Sequence, residues 1–341
     1  MKPILETHNL NIGYRNGSSA VEVANDINIA LYQGELVCLI GANGTGKSTL
    51  LRTLAASQRP LAGSVTIDGS DVFSLSRKRL SRMLAIVNTD STQAGGLTVR
   101  ELVALGRHPH TGWFGRLTKS DSKAVDTAML SVGITDKANR FMAELSDGER
   151  QKAMIAKALA QDTPIIFLDE PTAFLDIASK ISAMQLLHEL AHRTGKAILL
   201  SSHDIAQVLT FADRLIAIDG SHSICCGPTD DMVLQGAMSR LFIGNNIDFD
   251  PSTCNFVMNC RLSHSARIDA PNDMRHIIAN ALRRNDIRVE ADDACGTDFV
   301  VSVRGTSPID IILTADGNTV AHCPSVAQLI ATINNITNNR Q

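Results

Sequence analysis

The chain has 341 residues, of which 44% are hydrophobic and 20% charged, and its formal net charge is -3. This length predicts one large globular domain with a smaller one, and the charge argues against a nucleic-acid binder or a polybasic membrane binder. The seven cysteines include no Cys-x-x-Cys pair, which favours reduced thiols in the cytoplasm. We expect no signal peptide at Met1–Leu10 and no membrane-spanning helix, because no apolar run approaches about 20 residues.

The N-terminal segments Ile4–Tyr14 and Val21–Leu31 partly alternate apolar and polar residues. Asn16-Gly17 between them is a turn signal, so the pattern predicts two antiparallel strands. Gly63–Asp68 predicts another strand of the same kind. Tyr14 ends the first strand, where a tyrosine most often packs but can also stack on a nucleobase.

The next stretch predicts a strand buried on both faces, a glycine-rich turn and a helix. The turn matches the pattern G-x-x-x-x-G-K-[ST], and its residues are Gly41, Ala42, Asn43, Gly44, Thr45, Gly46, Lys47, Ser48 and Thr49. Its backbone N–H groups and the positive N-terminus of the helix suit a phosphate group. In this pattern Lys47 reaches the β- and γ-phosphates and the Ser48 hydroxyl ligates Mg²⁺. The sequence therefore predicts a nucleoside triphosphate site, the alternative being an ordinary glycine-rich turn.

The middle of the chain predicts a strand at Leu84–Val87, followed by a helix at Thr98–Arg107 with Thr98 as its N-cap. Glycine and proline then break the pattern at Gly106–Gly115, and we expect this connection to be exposed. It contains the chain's only tryptophan, Trp113. Asp121–Val132 predicts a further helix.

The run Ser146–Glu149 opens a helix through Ala160, and its first and last residues alone would form a capping box. Three later apolar segments predict buried strands: Pro164–Leu168, Ala197–Leu200 and Leu215–Ile218. Helical patterns alternate with these strands, which predicts a mostly parallel sheet with helices on its faces. Ligands bind at the carboxyl ends of such strands, so we expect Gly41, Asp169 and His203 to converge on one site.

A linker is predicted at Gly244–Asn246 and Asp250–Ser252. Beyond it, two amphipathic helices and several short strands predict a compact α+β domain with no catalytic constellation. The strands are expected near Phe256–Met258, Ile287–Glu290, Phe299–Val303, Ile309–Leu313 and Thr319–His322, and the helices at Met274–Leu282 and after Pro324. We therefore place two domains, at residues 1–243 and 244–341.

Together these motifs resemble the ATP-binding subunit of ABC transporters, from the N-terminus to about residue 240. The matching segments are residues 41–49, 145–149, 165–171, 174–176 and 201–204. No other phosphate-loop family shares the 146–149 segment, which makes the resemblance specific. It implies an α/β fold: a P-loop NTPase (ABC ATPase) core with an antiparallel β subdomain and a helical subdomain. The small C-terminal α+β domain lies outside the resemblance.

The resemblance also implies a homodimer that holds two ATP molecules head to tail. Each ATP would lie on Gly41–Thr49 of one copy and face Ser146, Gly148 and Glu149 of the other. A helix N-terminus can hold a γ-phosphate, so the helix that begins at Ser146 would complete the site only across the dimer.

The same resemblance implies roles for four further residues. Asp169 would lie on the Mg²⁺ side of the site, and Glu170 would polarise the attacking water as a carboxylate base. His203 would sense or hold the γ-phosphate. Tyr14 lies where the family has an aromatic residue that stacks on adenine.

Two departures from the family pattern stand out. The family's usual Gly-Gly-Gln is Asp147-Gly148-Glu149 here, and the Asp147 carboxylate is tolerable near phosphate only if it points away. The family's glutamine that touches Mg²⁺ follows the strand at residues 84–87. Spacing puts Thr89 there, with Asp90 next and Gln93 further on, and which residue takes the role stays open.

Within the family, Thr98–Val103 followed by Gly106–His110 is similar to the ATPases of iron–siderophore, haem and vitamin B12 importers. This implies a peripheral subunit on the cytoplasmic face of the cell membrane, with integral membrane permease subunits as partners and a substrate-binding protein upstream. We expect the segment Arg107–Phe114 to contact the permease.

Two alternatives stay open. One is a soluble ABC ATPase without a membrane partner, although such proteins usually have two cassettes or a long coiled coil. The other is an importer subunit whose C-terminal domain senses a ligand. That domain either stabilises or regulates the dimer, or is a passive appendage.

Overall fold

The structure is a computed structural model that describes residues 2–16, 19–88, 96–112, 115–219, 221, 223–241, 247–250, 254–258, 264–290, 296–305 and 309–338. Several residues named in the sequence predictions lie outside these ranges: Gly17, Thr89, Asp90, Gln93, Trp113, Phe114, Gly244–Asn246, Pro251 and Ser252. The chain divides into two compact units, Met1–Val257 and Met258–Gln341. The domain boundary between residues 243 and 244 stays a prediction.

The strands, numbered in chain order, are β1 Leu5–Asn16, β2 Ser19–Ile27, β3 Ala30–Leu31, β4 Leu36–Gly41, β5 Ala62–Ile67, β6 Ser70–Asp71, β7 Leu84–Val87, β8 Ile165–Leu168, β9 Ala197–Ser201, β10 Arg214–Ile218, β11 Ile224–Pro228, β12 Ile247–Asp250, β13 Asn255–Met258, β14 His264–Asp269, β15 Ile287–Val289, β16 Phe299–Arg304, β17 Asp310–Ala315 and β18 Asn318–Cys323. The helices are α1 Lys47–Leu54, α2 Arg77–Leu80, α3 Val99–Leu105, α4 Lys119–Ser131, α5 Asp147–Ala160, α6 Ile177–Thr194, α7 Ile205–Phe211, α8 Thr229–Leu234, α9 Ala237–Arg240, α10 Asn272–Arg283 and α11 Val326–Asn338. Among the described residues, no helix is both long enough and apolar enough to cross a bilayer.

The first unit contains two large sheets. One is antiparallel, with the order β2-β1-β5-β6 and β3 also paired to β1, as the alternating N-terminal segments predicted. The other has the order β11-β10-β4-β9-β8-β7, and all its pairs are parallel except β10–β11. Every residue of β4, β8 and β9 is buried, because these apolar runs face packed layers on both sides.

Alternate residues of β4 belong to two different hydrophobic cores. Val37 and Leu39 pack in the core that contains α1 and the antiparallel sheet. Cys38 and Ile40 pack in the core that contains α3, α4, α5 and α6. The central strand therefore joins both layers, and the loop that follows it lies where they meet.

The connection after α3 differs from the sequence prediction. We expected Gly106–Gly115 to be exposed, but Gly106 and Arg107 are buried. Arg107 Nε donates to Asp121 Oδ1 at 2.9 Å, and its Nη1 donates to the carbonyl oxygen of Ala160 at 2.8 Å. This buried ion pair fixes the start of the connection to α4 and to the end of α5, which is why the prediction was wrong there.

The second unit contains a five-stranded sheet with the order β15-β14-β16-β17-β18, packed with α10 and α11 around its own core. Strand β14 was not predicted from the sequence, although it is paired on both sides, with β15 and with β16. Only Ala266 and Ile268 of this strand are buried, so its apolar signal is short. Ile277 lies within the amphipathic helix predicted at Met274–Leu282, yet it is 62% exposed.

A strand that was not predicted, β12, includes Asp250 of the predicted linker. Strand β12 pairs with β13, and Phe249 of β12 is buried in the core of the first unit. The rings of Phe249 and Phe256 meet edge to face, with centroids 5.3 Å apart. The contact between these two aromatic rings therefore holds β12 against the first unit.

Candidate active site

The loop after β4 has the backbone that its glycines predicted. Gly44 and Gly46 have φ angles of +81° and +103°, which glycine adopts without steric cost. Helix α1 begins at Lys47, so the unpaired N–H groups of its first turn face the loop. Asn43 and Gly44 are exposed at the tip, whereas Thr45 is buried and its hydroxyl donates to the carbonyl of Ala42 at 2.9 Å.

The Lys47 ammonium lies inside this loop. The residue is only 6% exposed, and Nζ donates to the carbonyl oxygens of Gly41 at 2.8 Å and Ala42 at 3.0 Å. Burial lowers the pKa of Lys47, while the carboxylates of Glu170 and Asp169 act in the opposite direction. A partly desolvated cation held between carbonyl oxygens is suited to contact an anion that enters the loop.

Tyr14 contacts the loop from the antiparallel sheet. Its hydroxyl and Thr49 Oγ1 are 2.6 Å apart, and either can donate. The tyrosine is 46% exposed, so part of its ring is available to a ligand. Ser48 is half-buried between Lys47 and Thr49 in the first turn of α1.

Ser201, at the end of β9, links the two acidic residues that follow β8. Its hydroxyl donates to Asp169 Oδ1 at 2.7 Å and accepts the backbone N–H of Glu170 at 2.8 Å. The serine is completely buried. Sequence reasoning gave it no role, although it begins the Ser201–Asp204 segment that placed His203. A buried hydroxyl directly after an apolar strand is the signal that was available.

Glu170 and His203, which follow different strands, are in direct contact. Glu170 Oε1 and His203 Nε2 are 2.6 Å apart, and the side chains are 36% and 42% exposed. Glu170 has a φ angle of +47°, a strained value for a residue with a side chain. The Ser201 hydrogen bond and the strand end hold this backbone, and the carboxylate remains accessible to solvent.

Two cavities adjoin these residues. The smaller, of about 160 Å³, is lined by Gly41, Ala42, Asn43, His203, Ile205 and Leu241. The larger, of about 330 Å³, includes Asp169, Asn88 and Arg52 in its lining. The structure therefore brings the phosphate loop and the ends of β8 and β9 together at one edge of the sheet. Thr89, the residue after Asn88, lies outside the described residues.

The segment Ser146–Glu149 lies in a different environment. Ser146 Oγ accepts the Glu149 N–H at 3.3 Å, and Glu149 Oε2 accepts the Ser146 N–H at 2.9 Å, which completes a capping box at the start of α5. The Ser146 N–H bond lowers the pKa of Glu149. The Asp147 carboxylate accepts a bond from Arg150 Nη1 at 2.8 Å, so its charge is paired beside the helix.

Within one chain, the start of helix α5 is separate from the phosphate loop. Among the described residues, no hydrogen bond or ion pair joins Ser146, Gly148 or Glu149 to residues 41–49. Helix α5 instead packs mainly against α3, α4, α6 and β7. Ser146 is exposed, and Gly148 is partly exposed, so this helix start is available to another molecule.

The donor set suits Mg²⁺. The Ser48 hydroxyl and the Asp169 carboxylate are hard oxygen ligands of the kind that this ion prefers. Both belong to the edge described above, one in the first turn of α1 and one directly after β8. The third predicted ligand, Thr89, lies outside the described residues.

Comparisons with known proteins agree with this geometry. The family model described as ABC transporter matches residues 24–173. An ABC transporter ATP-binding protein of Methanocaldococcus jannaschii, itself uncharacterized, is 38% identical over 246 residues, covering 72% of this chain and 83% of its own length. The ferric enterobactin transport ATP-binding protein of Escherichia coli is 37% identical over 238 residues, covering 70% of this chain and 86% of its own.

Solved structures give the same result. A chain of an ABC transporter described as of the metal-chelate type, in an inward-facing conformation, matches with a TM-score of 0.61 and 26% identity, over 71% of this chain and 89% of its own. A dimeric ATP-binding cassette bound to ADP and phosphate, in a post-hydrolysis state, matches with a TM-score of 0.54 and 28% identity. That match covers 62% of this chain and 93% of the cassette.

Proposed function

The chain belongs to the ABC transporter family of ATP-binding proteins, and from this premise we propose that it drives uptake of a metal-chelate or corrinoid cargo by hydrolysing ATP. The family, the fold class and the ATPase activity are those that the resemblance of the motifs predicted. The proposal adds the roles of individual residues, the dimer, the membrane partner and the cargo.

The observation that supports the proposed chemistry most strongly is the Glu170–His203 contact beside the phosphate loop. Glu170 is the base that orients and deprotonates the attacking water, because its carboxylate is accessible and its position is fixed from Ser201. His203 holds Glu170 in the resting site and contacts the γ-phosphate when ATP is bound. Lys47 contacts the β- and γ-phosphates, and Tyr14 stacks on the adenine.

Mg²⁺ bound by Ser48 and Asp169 would neutralise phosphate charge during hydrolysis. The bond from Ser201 keeps the Asp169 carboxylate in a fixed orientation. Thr89, or one of its neighbours Asp90 and Gln93, would complete the Mg²⁺ side. The remaining loop residues, Gly41, Asn43, Gly44, Thr45, Gly46 and Thr49, shape the backbone that surrounds the phosphates.

We also infer a head-to-tail homodimer with two ATP molecules. Ser146, Gly148 and Glu149 are available at an exposed helix start and have no described contact with their own phosphate loop. In the dimer, the partially positive start of α5 would face the γ-phosphate bound by the other copy. The pairing of Asp147 with Arg150 reduces the repulsion between that carboxylate and phosphate.

The proposed partners are integral membrane permease subunits, with a substrate-binding protein upstream, so that the chain acts at the cytoplasmic face of the cell membrane. The cargo is an iron–siderophore complex, haem or a cobalamin. Two relatives support this choice, since one is the ferric enterobactin transport ATP-binding protein and one is from a transporter described as of the metal-chelate type.

Uptake of radiolabelled cargo tests this proposal. Host cells with wild-type protein or with Glu170→Gln should be supplied with ferric siderophore, haem or cobalamin. We expect one of these cargoes to accumulate only with the wild-type protein, and the protein to copurify with a membrane subunit. Normal uptake of all three in the mutant cells would contradict the proposed function.

The region 244–341 is proposed as a separate domain that stabilises or regulates the dimer. Residues 258–341 have their own hydrophobic core, which supports an independent fold. Truncation after Gly244 should leave ATP binding intact and weaken self-association or a regulatory response. Unchanged self-association, ATPase rate and uptake would identify the region as a passive appendage.

A further inference from the structure

A second cluster of chemically active side chains lies in the first unit, at the edge of the parallel sheet opposite the nucleotide site. His188 and His192 are on α6, and Asp213 precedes β10. One nitrogen of each histidine and one carboxylate oxygen all lie within 4.8 Å of one another. Strand β4 runs between the two edges, so the cluster is roughly 17 Å from the phosphate loop at about 3.3 Å per residue. It shares no residue with the proposed ATP site.

Local structure explains why the two histidines point the same way. Residues four apart lie on one face of a helix, and the neighbouring residues Leu187, Leu190 and Ala191 are buried in the core. The rings of His188 and His192 have centroids 4.4 Å apart. Two histidines at this spacing on a helix are a recurrent arrangement for binding a divalent metal.

The carboxylate is held in place by the sheet. Asp213 Oδ2 accepts the backbone N–H of Leu36 at 2.7 Å. Its own N–H donates to the Leu36 carbonyl at 2.9 Å, and its carbonyl accepts the Thr229 N–H at 3.1 Å. Fixed outer hydrogen bonds of this kind orient the ligands of metal sites.

The distances between the side chains of His188, His192 and Asp213 fit coordination of one shared ion better than direct hydrogen bonds alone. His192 Nε2 lies 3.1 Å from Asp213 Oδ1, whereas His188 Nδ1 lies 3.9 Å from Oδ2, beyond hydrogen-bond range. His188 Nδ1 is buried and, within the described part of the chain, has no hydrogen-bond partner. A buried nitrogen without a partner is unfavourable, and a metal ion would supply one.

The charged groups near the cluster are compatible with a bound cation. Arg214 Nε lies 3.6 Å from Glu35 Oε2, and its guanidinium carbon lies 5.3 Å from the centre of the Tyr32 ring. The positive charge of Arg214 is therefore paired with Glu35, and the Asp213 carboxylate adds a negative charge to the cluster.

We propose that His188, His192 and Asp213 bind one divalent transition-metal ion of the Zn²⁺ type. Two imidazoles and one carboxylate favour Zn²⁺ over Mg²⁺, which prefers oxygen ligands. With three protein ligands, the fourth position of a tetrahedral ion is filled by water. The ion joins the C-terminal half of α6 to the start of β10, and so stabilises the folded unit rather than taking part in ATP hydrolysis.

Zinc titration of the nucleotide-free, tag-free protein, followed by competition with a chromophoric chelator and with Mg²⁺ in excess, tests this site. We expect His192→Ala to weaken binding at one site by more than about 100-fold, beyond the effect typical of an outer-shell change. The matched control is His322→Ala, because His322 Nδ1 pairs with Asp310 at 3.1 Å in the second unit. This variant should bind Zn²⁺ like the wild type.

Thermal unfolding provides a second readout that does not depend on activity. Saturating Zn²⁺ should raise the Tm of the wild type and of His322→Ala by about 3–5 °C, and should not raise that of His192→Ala. His192 is half-exposed, so its replacement should preserve the fold, and His188→Gln gives an independent variant that retains a polar side chain. The proposal is overturned if the wild type binds no Zn²⁺ at micromolar concentration, or if His192→Ala binds it unchanged.

Discussion

The Glu170–His203 pair and the Arg107–Asp121 pair each join a carboxylate to a basic nitrogen, at 2.6 and 2.9 Å. The side chains of the first pair are 36% and 42% exposed, whereas those of Arg107 and Asp121 are 10% and 5% exposed. The first pair follows two strand ends and includes a residue with a positive φ angle. The second joins a helix connection to α4, within a packed region.

We therefore assign the first pair to the proposed catalytic site and the second to the stability of the fold. An accessible carboxylate can exchange its histidine partner for water, and the released histidine can then contact phosphate. A buried pair cannot reach a ligand, but removal of one partner leaves a charge without compensation in the interior. We therefore expect substitutions at the first pair to change the rate of hydrolysis, and substitutions at the second to change the free energy of unfolding.

The largest expected effect is that of Glu170→Gln. Loss of the base should lower the rate of ATP hydrolysis by about 10²- to 10⁴-fold. ATP affinity should be retained, and the free energy of unfolding should change by less than about 0.5 kcal/mol. Phosphate release and nucleotide titration measure these quantities. The matched control is Glu189→Gln, an exposed carboxylate on α6, which should leave the rate unchanged. A wild-type rate of hydrolysis in Glu170→Gln would show that another residue is the base, with His203 the next candidate.

Arg107→Ala should produce the largest loss of stability. It leaves Asp121 buried without its cation, so we expect the free energy of unfolding to fall by about 3 kcal/mol, as measured in urea. Arg100→Ala removes a comparable pair, with 2.7 Å between Arg100 and Asp126, that is exposed. That control should lose no more than about 1 kcal/mol. Equal losses in the two variants would show that burial does not distinguish these pairs.

Ser201→Ala tests whether the hydroxyl between the acidic residues positions them. The variant removes the donor to Asp169 and the acceptor for the Glu170 N–H, so hydrolysis should fall by about 10- to 100-fold with ATP affinity little changed. Ser202→Ala is the control, since its buried hydroxyl accepts the Asp204 N–H and has no described bond to either carboxylate. A Ser201→Ala rate within about twofold of wild type would leave Ser201 with a packing role only.

The smallest expected effect is the pH dependence of stability that arises from the Arg107–Asp121 pair. The Thr118 hydroxyl and N–H, aided by Arg107, lower the pKa of Asp121 from 3.8 to about 2. Because the folded-state pKa is below the unfolded value, this stabilisation is complete above pH 3.8 and is lost as the pH falls toward 2. The urea midpoint of the wild type should decrease more in this range than that of Asp121→Asn. Parallel pH profiles would contradict the assignment.

The sequence could predict the nucleotide edge because its residues are constrained locally. Gly44, Gly46 and Lys47 form one contiguous loop, and Ser146 with Glu149 has a three-residue spacing typical of a capping box. The apolar runs of β4, β8 and β9 likewise indicate buried parallel strands without reference to any other segment.

Contacts between distant segments were not predictable in this way. The burial of Arg107 depends on Asp121 and Ala160, and nothing in the local pattern indicates that the three meet. Strand β14 has too few apolar residues to be distinguished from a loop, and its place is determined by pairing with β15 and β16. The same holds for the His188, His192 and Asp213 cluster, since Asp213 is on a different element from the two histidines.

In the proposed dimer, the phosphate loop of one copy and the α5 start of the other form each ATP site. The most direct measurement mixes two inactive variants, Lys47→Ala, which lacks the loop cation, and Ser146→Arg, which blocks the helix start. Random pairing would restore one complete site in half of the dimers, so the mixture should regain roughly a quarter of the wild-type ATPase activity. A mixture as inactive as either variant alone, with mixed dimers present, would contradict the claim.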